Sequence, residues 1–217
     1  ISSFTGGVVL IRNGYANFNG ALLQDNITQI NDTSGQTNAG VYYVGSADGG
    51  TFTNTVFKNL TSYQGGAAIR TNISLPITID GCQFINNDGM TISGGSIYYT
   101  GGDLSIANSL FETNKSNANG GAVYAINGTV TIDNSTFTGS QAQAGSAIYQ
   151  SGGTLTIKDS VTTDDSKPSF ISNTGVTSGA IYFAGQSISV NNAVFNENKA
   201  TNGVGAAITL NSGGTNR

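Results

Sequence analysis

The chain repeats itself, and this restricts its fold more than anything else in it. The phrase "GGAVY" at Gly120 recurs as "GGVVL" at Gly6, "AGVYY" at Ala39, "GAAIR" at Gly66, "GGSIY" at Gly94, "GSAIY" at Gly145, "SGAIY" at Ser178 and "GAAIT" at Gly205. Successive starts lie 33, 27, 28, 26, 25, 33 and 27 residues apart. A second column, 8 to 10 residues before each start, holds Ile30, Phe57, Phe84, Phe111, Phe137, Phe170 and Phe195. A third lies five residues before the Phe and is apolar: Phe52, Ile79, Ile106, Ile132 and Val190.

Between these columns the chain alternates with period two and is rich in β-branched residues, as in "VTIDN" from Val130 to Asn134 and "LTIKD" from Leu155 to Asp159. That pattern predicts short strands with one buried face, and the Gly and Asn between them predict turns. No segment has a helical period. Each repeat therefore holds about three strands and no helix, and stacks on the next as one turn of a parallel β-helix about 4.8 Å tall. Residues 1–217 form one such body of seven or eight turns, lengthened in one turn by a loop insertion at 160–169. The chain opens and closes inside the pattern, so it reads as a section of a longer repeat protein.

Stacking converts columns into ladders. Phe57, Phe84, Phe111, Phe137, Phe170 and Phe195 form an internal stack. Asn54, Asn108, Asn134 and Asn192, three residues before a Phe, form a turn ladder, because Asn tolerates a left-handed backbone and its amide can bond the amide one turn above. In the "GGAVY" strand the fourth position points in (Val9, Tyr42, Ile69, Ile97, Val123, Ile148, Ile181, Ile208), as does the small second position. The fifth position points out and carries Tyr43, Tyr98, Tyr124, Tyr149 and Tyr182. This stripe is the candidate binding surface, since aromatic rings stack on sugars and anchor protein partners. Cys82, the single cysteine, reads as a small buried hydrophobe.

Glycine-Gly-Ala-aliphatic together with Phe-x-x-Asn resembles the repeat signature of the chlamydial polymorphic membrane proteins and related right-handed β-helix surface proteins. Phe-x-x-Asn stands intact at Phe84–Asn87, Phe111–Asn114, Phe170–Asn173 and Phe195–Asn198, and is broken at Phe57–Leu60 and Phe137–Ser140. The resemblance covers nearly the whole chain. It implies a right-handed single-stranded β-helix with an extracellular, adhesive or wall-forming role. Asn/Ser/Thr/Gly-rich β-helix repeats also look like those of large protist surface proteins.

Composition narrows the function classes. The formal charge is −4 and the eight basic residues are scattered, without the stripe that nucleic-acid binding needs. No apolar run reaches the length of a membrane span. His is absent, which removes the commonest general base and metal ligand, and no metal or cofactor is expected. The rival reading is a polysaccharide lyase or glycoside hydrolase built on paired carboxylates. Asp80 and Asp133 share a column, but Ala107 stands between them and puts them about 10 Å apart, beyond the usual 5–9.5 Å. Asp164 and Asp165 in the insertion supply too few oxygens for a calcium ion. No catalytic residue is assigned.

Sequons at Asn26, Asn31, Asn59, Asn72, Asn114 and Asn127 are candidate glycosylation sites, though the Asn, Ser and Thr content alone produces nearly as many. A seventh, Asn134, belongs to the turn ladder. The leading expectation is a non-catalytic extracellular rod that forms or decorates a surface layer or filament. Its partners would be other copies, flanking coils, or host and cell-surface proteins or glycans. The alternative is a carbohydrate-binding or carbohydrate-cleaving β-helix.

Overall fold

The computed structural model describes residues 8–28, 40–90, 92–160 and 167–211. These form a parallel β-solenoid of seven turns and the first strand of an eighth, with no helix among the described residues. The fifth turn shows the unit: strands Val123–Ile126, Thr129–Asp133, Thr136–Thr138 and Gln141–Ala142. We call them the Tyr, Ile, Phe and short strands. Each pairs in parallel with its counterpart in the turn below and above. A parallel crossover of this kind takes the right hand. In the second turn the Tyr and Ile strands run together as Val41–Thr53, which joins the two ladders into one sheet.

The fourth ladder exceeds the three strands expected from the sequence. Its members are two residues long or single bridges, Thr61 to Asp88 to Lys115 to Gln141, so alternation has no length in which to show.

The interior is built from whole columns. Phe57, Phe84, Phe111, Phe137 and Phe170 are 0% exposed. Their rings stack with centroids 4.4–5.1 Å apart, which is the turn spacing itself, and Phe195 continues the stack at 4.9 Å. The Ile column runs Phe18, Phe52, Ile79, Ile106, Ile132, Ile157 and Val190, with the insertion hiding Ile157 from a count back from Phe170. Ile30 lies outside the described residues, and Leu23 faces Phe57 in its place.

Two frame assignments are corrected. The register pairs Val41 with Ile69 and Tyr42 with Arg70, so Val41, not Tyr42, holds the inward fourth position. Tyr43 then points in and is 0% exposed; Gly50 lacks a side chain where the Tyr43 hydroxyl sits, and this makes room for the ring. Three consecutive large residues, Val41, Tyr42 and Tyr43, left the frame open in the sequence. The small second position has its cause in the stacking of turns. At Gly95 and Gly121 an added Cβ would run into the carbonyl of Gly121 and of Ser146 one turn on, so the crowding lies between turns. The first glycine is a left-handed turn residue, φ 66° at Gly120.

Turns are closed by three polar ladders. Asn54, Asn108, Asn134 and Asn192 have φ of 48–55°, and the Asn134 amide donates to Asn108 Oδ1 at 3.1 Å, as the turn ladder requires. Asn108 donates to Asp80 and Asn192 to Asp159 in the same way. The asparagines of Phe-x-x-Asn have another task. Asn87, Asn114 and Asn173 are 0% exposed. Each reaches back one turn: Oδ1 accepts a backbone N–H (Leu60, Asn87, Ser140) and Nδ2 donates to a Phe carbonyl (Phe57, Phe84, Phe137). They bridge the corner where the strand ladders stop, so backbone groups that would be buried unpaired are satisfied.

The third ladder adds to the reading of Cys82, which is buried in the core as expected. Thr55, Cys82, Ser109 and Ser135 share one column two residues before the Phe. Each donates to the carbonyl two residues back, Cys82 to Asp80 at 3.4 Å and Ser109 to Ala107 at 2.6 Å. Each of the last three also accepts the N–H of its neighbour one turn back. Cys82 is thus a thiol in a hydroxyl ladder. Cys82→Ser is expected to be neutral or stabilising by up to about 1 kcal/mol, whereas Cys82→Val, which orphans the Thr55 N–H, costs about 1–3 kcal/mol. Urea unfolding of both variants checks this; equal effects would remove the ladder's role.

Candidate functional site

Four of the five sequence-selected tyrosines come together. Tyr98, Tyr124, Tyr149 and Tyr182 stack with centroids 5.2, 5.1 and 4.6 Å apart and interplanar angles of 25°, 14° and 4°. Tyr43 is not among them. The column is continued by Arg70, whose guanidinium lies 4.2 Å from the Tyr98 centroid and donates to the Gln64 carbonyl, and then by Tyr42. Burial lowers the Arg70 pKa from its ordinary value, and Tyr98 and Tyr42 oppose this. At the other end Asn211 donates to the Tyr182 hydroxyl at 2.5 Å.

This geometry decides what the stripe can do. Rings stacked nearly parallel along the axis spend their faces on one another, and each is half-buried. A sugar cannot lie on those faces. What the stripe presents to solvent is a comb of ring edges and hydroxyls.

The acids that could have formed a catalytic pair are held in ladders. The register places Asp80, Ala107, Asp133 and Lys158 in consecutive turns. Asp80 accepts from Asn108 at 2.8 Å. Asp133 accepts the Ser160 N–H at 2.9 Å and lies 3.5 Å from Lys158. Partial burial pushes the Asp133 carboxyl up, but the Ser160 bonds and Lys158 outweigh it and hold the group below the usual range. A general acid needs the opposite shift. Asp164 and Asp165 lie outside the described residues.

The sequons divide by environment. Asn114 is corrected: its Nδ2, where a glycan would attach, donates to the Phe84 carbonyl inside the rod. Asn59 donates to Asp25 at 2.8 Å and Asn26 to the Gln24 carbonyl at 2.9 Å, both half-buried. Asn72 and Asn127 are exposed. Asn31 lies outside the described residues.

The short ladder forms a surface that the sequence reading missed. Its outward column is Thr61, Asp88, Lys115, Gln141, Thr174 and Lys199. Beside it lie two depressions that share Thr174. One, of about 330 Å³, is bounded by Ser172, Glu197, Asn198 and Lys199. The other, of about 190 Å³, is bounded by Lys115, Asn117, Gln141, Gln143 and Val176. The lining mixes amide, hydroxyl, ammonium and carboxylate groups with apolar carbon, including Ala142 and Val176. Lys115 lies 4.0 Å from Asp88, whose carboxyl is raised by burial against the pull of that lysine. A legible signal existed: every member follows its Phe by four residues. The column has no common residue type, which hides it in the sequence.

Comparison with protein-family models, with curated proteins and with solved structures finds no match to this chain.

Proposed function

We propose that the chain is a non-catalytic extracellular rod that builds or decorates a surface layer or filament and adheres through its flanks. The observation that carries this reading is the continuity of the ladders. Four backbone ladders and the Phe and Ile columns run through the described turns. A solenoid so laddered is stiff and offers outward columns at a regular spacing of about 4.8 Å. Its partners on this reading are copies or flanking coils of the same protein, or surface proteins and glycans, and not nucleic acid. No helix among the described residues is long and apolar enough to cross a membrane.

One observation favours a carbohydrate-binding form of this reading: the depressions over the short ladder, which combine hydrogen-bonding groups with apolar carbon. A pyranose is about as long as one turn, about 4.8 Å, so an extended glycan could meet one set of hydrogen-bonding groups per sugar. The test is retention on immobilised neutral and acidic polysaccharides, with new chain ends assayed in parallel. Wild type is expected to be retained without new ends. Gln141→Ala with Thr174→Ala is expected to weaken retention about tenfold, the worth of one or two hydrogen bonds. Tyr124→Phe, which preserves the ring stack, is expected to change nothing. New chain ends that disappear in Asp80→Asn or Asp133→Asn would overturn the non-catalytic reading.

A further inference from the structure

One buried charge in the rod has no counter-charge among the described residues. Arg70 stands in the column of the stacked tyrosines, in register with Tyr42 on one side and Tyr98 on the other, and is only 8% exposed. A guanidinium stays protonated in proteins, and burying it is unfavourable unless an anion and its hydrogen bonds come with it. The described residues supply little of either. Nη1 donates to the Gln64 carbonyl, and the guanidinium carbon lies 4.2 Å from the Tyr98 centroid. Nε is buried with no hydrogen-bond partner. Neither ion pair found among the described residues involves Arg70.

Stacking does not explain the choice of residue. Tyr98, Tyr124, Tyr149 and Tyr182 fill the same register position in the turns that follow, ring on ring. A tyrosine at position 70 would carry that stack on to Tyr42 with no charge to bury. What the arginine adds is a planar fork of N–H groups on Nε and Nη2, which matches two oxygens of a carboxylate or sulfate. With Nη1 engaged by Gln64, this fork is the part of the group that no described residue engages.

We propose that Arg70 recognises the anionic group of an acidic polysaccharide, taking its carboxylate or sulfate on the Nε–Nη2 fork. This rests on the carbohydrate-binding form of the proposed function and names its ligand class. Gln64 follows Thr61, a member of the short ladder, by three residues, so Arg70 stands at the corner where that ladder passes into the Tyr strand. A glycan held on the short ladder by neutral hydrogen bonds meets a fixed cation at its border. The Tyr98 ring holds the guanidinium plane, so the fork is oriented before the ligand arrives. The chain carries a formal charge of −4, so its overall field repels a polyanion and retention has to come from a local contact.

The test is retention of the whole chain on immobilised polygalacturonate, dextran sulfate and unmodified dextran, with far-UV circular dichroism of each variant to confirm folding. Wild type is expected to bind at least one acidic matrix more tightly than dextran, and the matrix it prefers identifies carboxylate or sulfate as the group read. Arg70→Tyr, which continues the ring stack, is expected to lose about ten- to a hundredfold on that matrix, the worth of a charged hydrogen-bonded contact, and to keep its retention on dextran. Arg70→Lys keeps the charge and gives up the fork; it is expected to lose about tenfold, and it carries the test if the tyrosine variant does not fold. A wild type with no acidic preference overturns the proposal, as does either variant that binds the acidic matrix as tightly as wild type. Asp32, ten residues before Tyr42, lies outside the described residues. Asp32→Asn is expected to change nothing; a several-fold gain in acidic retention would mean that the chain's own carboxylate fills the fork, and would also overturn the proposal. Equal retention on all three matrices removes the acidic ligand and leaves the carbohydrate reading standing, whereas retention on none removes both.

Discussion

Replacing Phe111 by alanine is expected to destabilise the rod by about 3–5 kcal/mol, the usual cost of removing a fully buried phenyl ring. The ring is 0% exposed and lies 4.4 Å from Phe84 and 4.5 Å from Phe137, centroid to centroid, with interplanar angles of 3° and 8°. It therefore packs on both faces. The gap cannot collapse, because backbone ladders hold the turns above and below at strand spacing. Phe195 supplies the control. It stacks on Phe170 on one face and is only partly buried, so Phe195→Ala should cost about half as much, since the cost follows the buried surface and cavity lost. Urea unfolding of both variants checks the pair. Equal losses would mean that the stack is not the unit of stability, and that turns fold without regard to position.

The second large effect concerns a polar residue. Asn114→Ala is expected to cost about 2–4 kcal/mol, because it orphans the buried N–H of Asn87 and removes a hydrogen bond from the carbonyl of Phe84. The lost side chain is itself fully enclosed, so water does not reach the groups it leaves. Asn134→Ala makes the comparison. Asn134 is half-buried and bonds Asn108 at 3.1 Å, and its backbone is left-handed at φ 48°. Its loss should cost about 1–2 kcal/mol, chiefly the strain of a left-handed alanine. If thermal unfolding placed the two variants level, the internal bridge would carry no special weight.

Much of the fold was legible because a coil states each rule several times. The Phe column, the alternating "VTIDN" strands and the Asn turn ladder all follow from the sequence, and the structure has them in register. What misled was local. The run Val41, Tyr42, Tyr43 offered two frames, and only the empty space at Gly50 selects the one that buries Tyr43. Cys82 is buried in the apolar core, as its type suggests, but its place in a hydroxyl ladder is hidden because its type differs from Thr55, Ser109 and Ser135. Its hydrogen bonds name its column, and most of them run to other turns.

The candidate surfaces were less legible, for a physical reason. A stripe of outward tyrosines follows from period two alone. Whether the rings show faces or edges depends on rotamers set by neighbours one turn away, and the stack turns the faces inward upon each other. The short ladder is formed by residues of unlike type, Asp88, Lys115, Gln141 and Thr174, which become a surface only when the turns are superposed.

By itself, then, the sequence determined the repeat, the strands and the inward columns, because hydrophobic periodicity and turn residues act within one turn of chain. The tertiary structure decided the frame of the second turn, the partners of every polar ladder and the burial of Asn114. Each of these depends on what the next turn places about 4.8 Å away, and that contact is between residues some 25 to 33 positions apart in the chain.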